Sequence, residues 1–263
     1  MLYYVTKTNL VLKDVHYTNN IVQFPKKEKG IGVSTRMDCL HTKEEIQLVV
    51  DELMRKLKYA NSKSREKVAL RNLTMFTCAI VIGLRGGDFC ALKWNNIFDD
   101  KWKFLNNPDF VPEKTKRCHR HVKLTWNKDF EKIMRTWLDW KNKNMENYQD
   151  LDDYIFDSQK GEGHIQEKSF YRMMEDTRRM AGIPQKIGAH GCRKTMVNRY
   201  IKTADNKSDA LLEMQEYLGH DNVRTTLRYA CLEIESINET KEKMDLFDES
   251  MVISRYIGNR GEY

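Results

Sequence analysis

Tyr229 closes a stretch, Leu211 to Tyr229, whose residue types suit one demanding reaction, attack of a phenolic oxygen on phosphorus. His220 sits in the turn Leu218-Gly219-His220, and Arg224, Thr225, Thr226 and Arg228 separate it from Tyr229. A tyrosine hydroxyl attacks phosphate readily only where cations stabilise the charge that builds on the phosphate oxygens. Two upstream motifs offer such cations. His190-Gly191-Cys192-Arg193 places an imidazole and a guanidinium one helical turn apart, on the same face. Gly83-Leu84-Arg85 ends the most apolar run of the chain. A pair of arginines suits a phosphate, because each planar fork holds two nonbridging oxygens and keeps its charge at any workable pH.

Arg85, His190, Arg193, His220 and Tyr229, in that order, resemble the signature of the tyrosine recombinase (phage integrase) family, specifically of its catalytic domain. Four separate segments carry the likeness. GLRGGDFCALKW (Gly83 to Trp94) resembles the first arginine box, with Asp88 as the acidic residue three places after the arginine. KTKRCHRHVKL (Lys114 to Leu124) resembles the hairpin that bears a catalytic lysine. HGCRKT (His190 to Thr195) and LGHDNVRTTLRY (Leu218 to Tyr229) resemble the second and third boxes. The departures are Gly86-Gly87, Asp88 in place of a more usual glutamate, and Cys192 in place of leucine; none removes a catalytic group.

The resemblance implies a mostly α-helical fold with a small antiparallel β-sheet (α+β). It implies a site-specific recombinase or integrase, of a phage or other mobile element, that cleaves and rejoins double-stranded DNA through a 3′-phosphotyrosyl intermediate. Tyr229 is then the nucleophile, Arg85 and Arg193 clamp the phosphate, and His190 and His220 hydrogen-bond it and manage the tyrosine proton. Lys114 protonates the departing 5′-oxygen, with Lys116 as the alternative because turn register is not fixed by sequence. No cofactor and no metal are implied, and family members act as tetramers of one chain on paired DNA sites. Three rival readings remain open at this level. One is a type IB topoisomerase, which shares the chemistry without exchanging strands; another is a DNA-binding regulator that has lost catalysis. The third is a metal-dependent nuclease using His119, His121 and His190.

Composition sets wider bounds. The 263 residues are long enough for one large domain or two small ones and bury a core easily. Lys and Arg outnumber Asp and Glu by 45 to 38, a net +7 that is compatible with nucleic acid without requiring it. The six cysteines are scattered without CxxC pairing, which suggests neither a zinc ribbon nor a disulfide framework and favours reduced thiols in a cytoplasmic protein. The N-terminus lacks the pattern of a secretory signal, and the longest apolar run, Met75 to Leu84, is far short of the ~20 residues a membrane helix takes.

These chemical groups need elements to hold them. Residues 1–41 read as an arm or linker containing Lys26, Lys27 and Lys29, residues 42–230 as the catalytic domain, and residues 231–263 as a helical tail. In the family such a tail docks on a neighbouring subunit. About 40 residues precede Thr42, too few for the helical domain that family members carry there, so the chain is expected to grip DNA weakly and with strong salt dependence.

Thr42-Lys43-Glu44-Glu45 has the form of a capping box ahead of a helix with Ile46, Val49, Val50, Leu53 and Leu57 on one face. A central helix is expected from about Ser64 to Ile82, ended by Gly83. Pro108, Pro112 and the alternation through His119 to Leu124 suggest the small sheet. Further helices are expected around Phe130 to Leu138, around Phe170 to Met174, and from about Ala189 to Lys202, the last with His190 and Arg193 in a first turn that favours an anion. Ser208 is placed to cap the next helix, and Ile234 to Phe247 to form a short amphipathic one.

Overall fold

The computed structural model describes residues 37–113, 121–145, 150–158, 163–232 and 241. Among them are eight α-helices and a two-stranded antiparallel sheet, the α+β fold expected from the sequence. Helix α1 (Lys43–Lys58) begins with the capping box: Thr42 Oγ1 accepts from Glu45 N, and Glu45 Oε2 accepts in return from Thr42 N. Helix α2 (Lys63–Ile82) is capped by Ser62 and buried on nearly every side, which is why its apolar residues show little one-sidedness. The short α3 (Gly86–Cys90) follows directly.

Strand β1 (Asp109–Phe110) pairs with β2 (Val122–Lys123), with Asp109 opposite Lys123. The hairpin tip between them, with Lys114, Lys116 and His119, lies outside the described residues, as do the arm lysines and the segment Ile234 to Phe247. Helices α4 (Lys128–Asn144), α5 (Glu167–Met180), α6 (Ala189–Thr203), α7 (Lys207–Leu218) and α8 (Val223–Tyr229) complete the chain order. The cap of α7 differs from the expected one. Asn206 takes that place, its side-chain oxygen accepting from both Ser208 N and Asp209 N, so Ser208 falls inside the first turn.

Two apolar clusters form the interior. The larger joins α1 to α5 and the hairpin around Phe76, Phe89, Trp94, Phe130, Trp137 and Phe156. The smaller holds Met196, Val197, Ile201, Ala210, Met214, Leu218 and Ala230, from α6, α7 and the residue after α8. Helix α6 belongs to both, since Ala189 and Cys192 pack in the first and Met196 and Val197 in the second. Its first turns therefore stand where the clusters meet.

One charged network lies inside the larger cluster. Lys141 is fully buried, its ammonium 2.8 Å from Asp157, which also binds Lys67 at 2.6 Å. Burial lowers the pKa of Lys141, and Asp157 opposes that shift. The Asp157 carboxyl sits below its ordinary value because the two lysines outweigh the effect of burial. A carboxylate with a depressed folded pKa stabilises the fold above its unfolded pKa, and that contribution is lost as pH falls through the folded value. Asp157→Ala is expected to cost about 3–5 kcal/mol, because it leaves the Lys141 charge buried without its partner. Urea denaturation at neutral pH measures this loss, and the gap between variant and parent should close below the carboxylate range.

Candidate active site

Helices α2 and α7 end in the same way, and these endings build the site. Gly83 and Gly219 are C-caps in the left-handed region, at φ 64° and 72°. A side chain is strained there, and at Gly83 a Cβ would also strike Met196. Each cap turns the chain sharply, so Arg85 emerges two residues after the first and His220 immediately after the second. The carbonyls left without helical partners face Arg193. Its Nη1 donates to Gly83 O at 2.6 Å, and Nη2 reaches Leu218 O at 3.5 Å. The Tyr217 hydroxyl donates to Ile82 O at 2.6 Å, closing another free carbonyl at the end of α2.

Arg85 and Arg193 line one cleft with Asp88 and Tyr217. Arg193 is only 5 % exposed, and burial pulls its pKa below the ordinary value; Tyr229 opposes that shift and the like charge of Arg85 adds to it. Neither guanidinium is ion-paired with a carboxylate among the described residues. Asp88, the acid in the cleft, accepts from Glu113 N at 2.9 Å and so ties α3 to the segment that follows β1. Two cations in a partly dry cleft repel one another until an anion enters, so the cleft favours phosphate.

Tyr229 is the last residue of α8, a helix capped at its start by Asn222. Its hydroxyl shares a hydrogen bond with His190 Nδ1 at 3.3 Å, and the Arg193 guanidinium is near enough to act on its charge. The His190 and His220 rings meet the Tyr229 ring edge-on, at centroid distances of 5.0 and 5.2 Å. His220 Nδ1 is held 3.0 Å from the buried Thr226 Oγ1, which fixes the ring. Asn198 Nδ2 donates to Ala230 O at 2.8 Å, which anchors the chain just past Tyr229. The side chain is only partly exposed, and burial pushes its phenol up to about 12 despite Arg193 and Arg85. At neutral pH the hydroxyl is protonated, so reaction requires a group that accepts its proton, and His190 is in hydrogen-bonding contact.

The structure thus brings together Arg85, His190, Arg193, His220 and Tyr229, which sequence order alone only aligned; Lys114 falls outside the described residues. Four residues beyond the expected set also position the site: Tyr217, Thr226, Asn198 and Lys194. Lys194 is buried, bonds Met37 O at 2.8 Å and lies 5.8 Å from the Tyr229 ring centre. Lys194 and Thr226 lie inside the second and third boxes, and Asn198 and Tyr217 just outside them, but nothing in their spacing marks these roles. Among the described residues, the one group of potential metal ligands in mutual reach contains neither His121 nor His190.

The phage integrase family model matches residues 46–235, and the chain belongs to that family. No curated protein matches it in sequence. Among solved structures, a XerH site-specific recombinase bound to palindromic difH substrate in a post-cleavage complex aligns with TM-score 0.56. Identity is 19 %, over 78 % of this chain and 53 % of that one. XerA recombinase aligns with TM-score 0.55 and 19 % identity, over 86 % of this chain and 68 % of that one. A Tn1549 transposon integrase fragment in complex with a circular intermediate DNA gives 0.50 and 15 %, over 81 % and 67 %. At such identities the likeness is one of fold. The chain spans about half the length of the XerH chain, 53 %.

Tyr217→Phe removes the hydroxyl that satisfies Ile82 O beside Arg193. The expected loss is about 1–2 kcal/mol of stability, read as a lower denaturation midpoint with unchanged m-value.

Proposed function

We propose that this chain is a site-specific recombinase that cleaves and rejoins double-stranded DNA through a 3′-phosphotyrosyl link. The observation that carries the reading is the gathering of two guanidinium groups and two imidazoles around one phenolic oxygen. Membership of the phage integrase family supports it.

In this reading the Tyr229 oxygen attacks the phosphorus of a phosphodiester while His190 takes its proton. Arg85 and Arg193 bind the two nonbridging oxygens and gain most as charge shifts onto them in the transition state. The bond to the 5′-oxygen breaks, and Lys114 delivers a proton to that oxygen, with Lys116 as the alternative donor. The phosphotyrosyl link conserves the phosphodiester energy, so the free 5′-hydroxyl reseals the strand without ATP. Residues 42–230 make up the catalytic domain and 231–263 a tail that docks on a neighbouring copy, giving a tetramer on two paired sites. A mobile-element setting and a cytoplasmic location fit this reading, and no helix among the described residues is long and apolar enough to cross a membrane.

Tyr229→Phe is expected to bind DNA and form no covalent adduct on a nicked duplex, whereas the parent chain gives a band resistant to denaturing detergent. An adduct surviving in the variant removes Tyr229 from the nucleophile role. Arg85→Ala is expected to slow cleavage by about 10²–10³-fold with little change in stability, since the side chain is partly exposed and spans no helix ends. Arg193→Ala should lose both cleavage and stability. Near-normal single-turnover cleavage by either arginine variant contradicts the clamp.

A further inference from the structure

Two residues past Tyr229, the turn following α8 meets the segment preceding α1. Cys39 Sγ, Cys231 Sγ and an Asp38 carboxylate oxygen lie within 4.8 Å of one another. The Cys231 thiol donates to Asp38 Oδ1 at 3.2 Å. His41 borders the group, with Nε2 3.5 Å from the same oxygen and 3.7 Å from Cys39 Sγ. Cys231 holds a left-handed backbone, φ 61°, uncommon for a residue with a side chain.

We propose that Asp38, Cys39 and Cys231 form a site for one Zn²⁺ ion, with a water molecule in the fourth position, that ties the segment before α1 to the chain just after Tyr229. Zn–S bonds of about 2.3 Å and Zn–N or Zn–O bonds of about 2.0–2.2 Å put neighbouring ligand atoms of a tetrahedral site about 3.3–3.8 Å apart. The 3.2 Å between Cys231 Sγ and Asp38 Oδ1 already approaches such an edge, and Cys39 Sγ lies within 4.8 Å of both atoms. Two thiolates select a borderline-soft ion such as Zn²⁺ over Mg²⁺ or Ca²⁺. Binding replaces each S–H bond with a sulfur–metal bond and releases the two protons to solvent. Two thiolates and a carboxylate around Zn²⁺ leave one negative charge, which the Lys194 ammonium, 3.9 Å from Cys231 Sγ, balances.

Asp38 and Cys231 are 193 residues apart, so the sequence does not show that Cys231 joins the adjacent pair Asp38-Cys39. Its consequence is mechanical. Only Ala230 separates Cys231 from Tyr229, so a bound ion holds the C-terminal end of α8 against the α6 surface where His190 and Arg193 stand.

The test uses the full chain, reduced, stripped of metal and titrated with Co²⁺. One equivalent is expected to give thiolate-to-cobalt charge-transfer absorption with the visible bands of a four-coordinate centre, and Zn²⁺ should displace it. Cys39→Ser and Cys231→Ser should each lower the charge-transfer intensity to about half and weaken binding by more than about tenfold, since even outer-sphere partners are worth 10–100-fold, and the double variant should lose the band. Circular dichroism of each variant separates ligand loss from misfolding. The proposal is overturned if the reduced parent chain shows no charge-transfer band, or if the band keeps its full intensity in a correctly folded Cys231→Ser. A Cys39–Cys231 disulfide in a chain that binds no metal when reduced overturns it equally. None of these readouts involves DNA cleavage, so the outcome is independent of the proposed activity.

Discussion

The interaction on which this architecture depends is the Arg193 guanidinium held against the C-terminal ends of two helices. Taking a guanidinium almost wholly out of water is costly unless other groups replace its hydration. Here the replacement comes from Gly83 O, at the cap of α2, and Leu218 O, at the end of α7. Helix C-termini carry free carbonyls and the negative end of the macrodipole, so they stabilise a cation without a formal negative charge. A carboxylate partner in the same position would neutralise the arginine and leave nothing for an anionic ligand. Carbonyl dipoles tether the side chain and preserve its charge.

That arrangement explains why the catalytic motifs lie so far apart in the chain and so close in space. Gly83 and Gly219 end their helices in left-handed caps, and those caps release both the carbonyls that Arg193 binds and the residues, Arg85 and His220, that join it. The same guanidinium also acts electrostatically on the Tyr229 hydroxyl, opposing the rise that burial gives its pKa. One buried side chain on α6 therefore registers three motifs against each other. Binding and support cannot be separated at this position, whereas Arg85, partly exposed and not tethered to helix ends, is closer to a dedicated ligand-binding group.

Helix α6 departs from the usual division of a helix into apolar and polar faces. Arg193, Lys194, Thr195 and Asn198 are all buried on it, beside Cys192, Met196 and Val197. Thr195 accepts from Leu40 N, Asn198 donates to Ala230 O and Lys194 donates to Met37 O. The polar residues thus draw in the segment before α1 and the chain after α8 as hydrogen-bonding partners. Tyr229, the last residue of α8, packs against the smaller apolar cluster while its hydroxyl reaches His190.

Much of the fold is legible in the sequence, because the signals are local. The Thr42 capping box, the all-round apolar α2 and its Gly83 stop are short-range consequences of side-chain chemistry and backbone sterics. The cap of α7 was misread by two residues because Asn206 and Ser208 are both good capping residues and only the geometry selects between them. The residue types of the site were equally legible: Arg85, His190, Arg193, His220 and Tyr229 stand in motifs whose spacing is fixed along the chain. Tertiary structure alone decided that Arg193 faces two helix ends, that Tyr217 and Thr226 brace the cleft, and that Cys39 meets Cys231. Those are contacts between segments distant in sequence. Periodicity records which face of an element is buried and carries no information about what it is buried against.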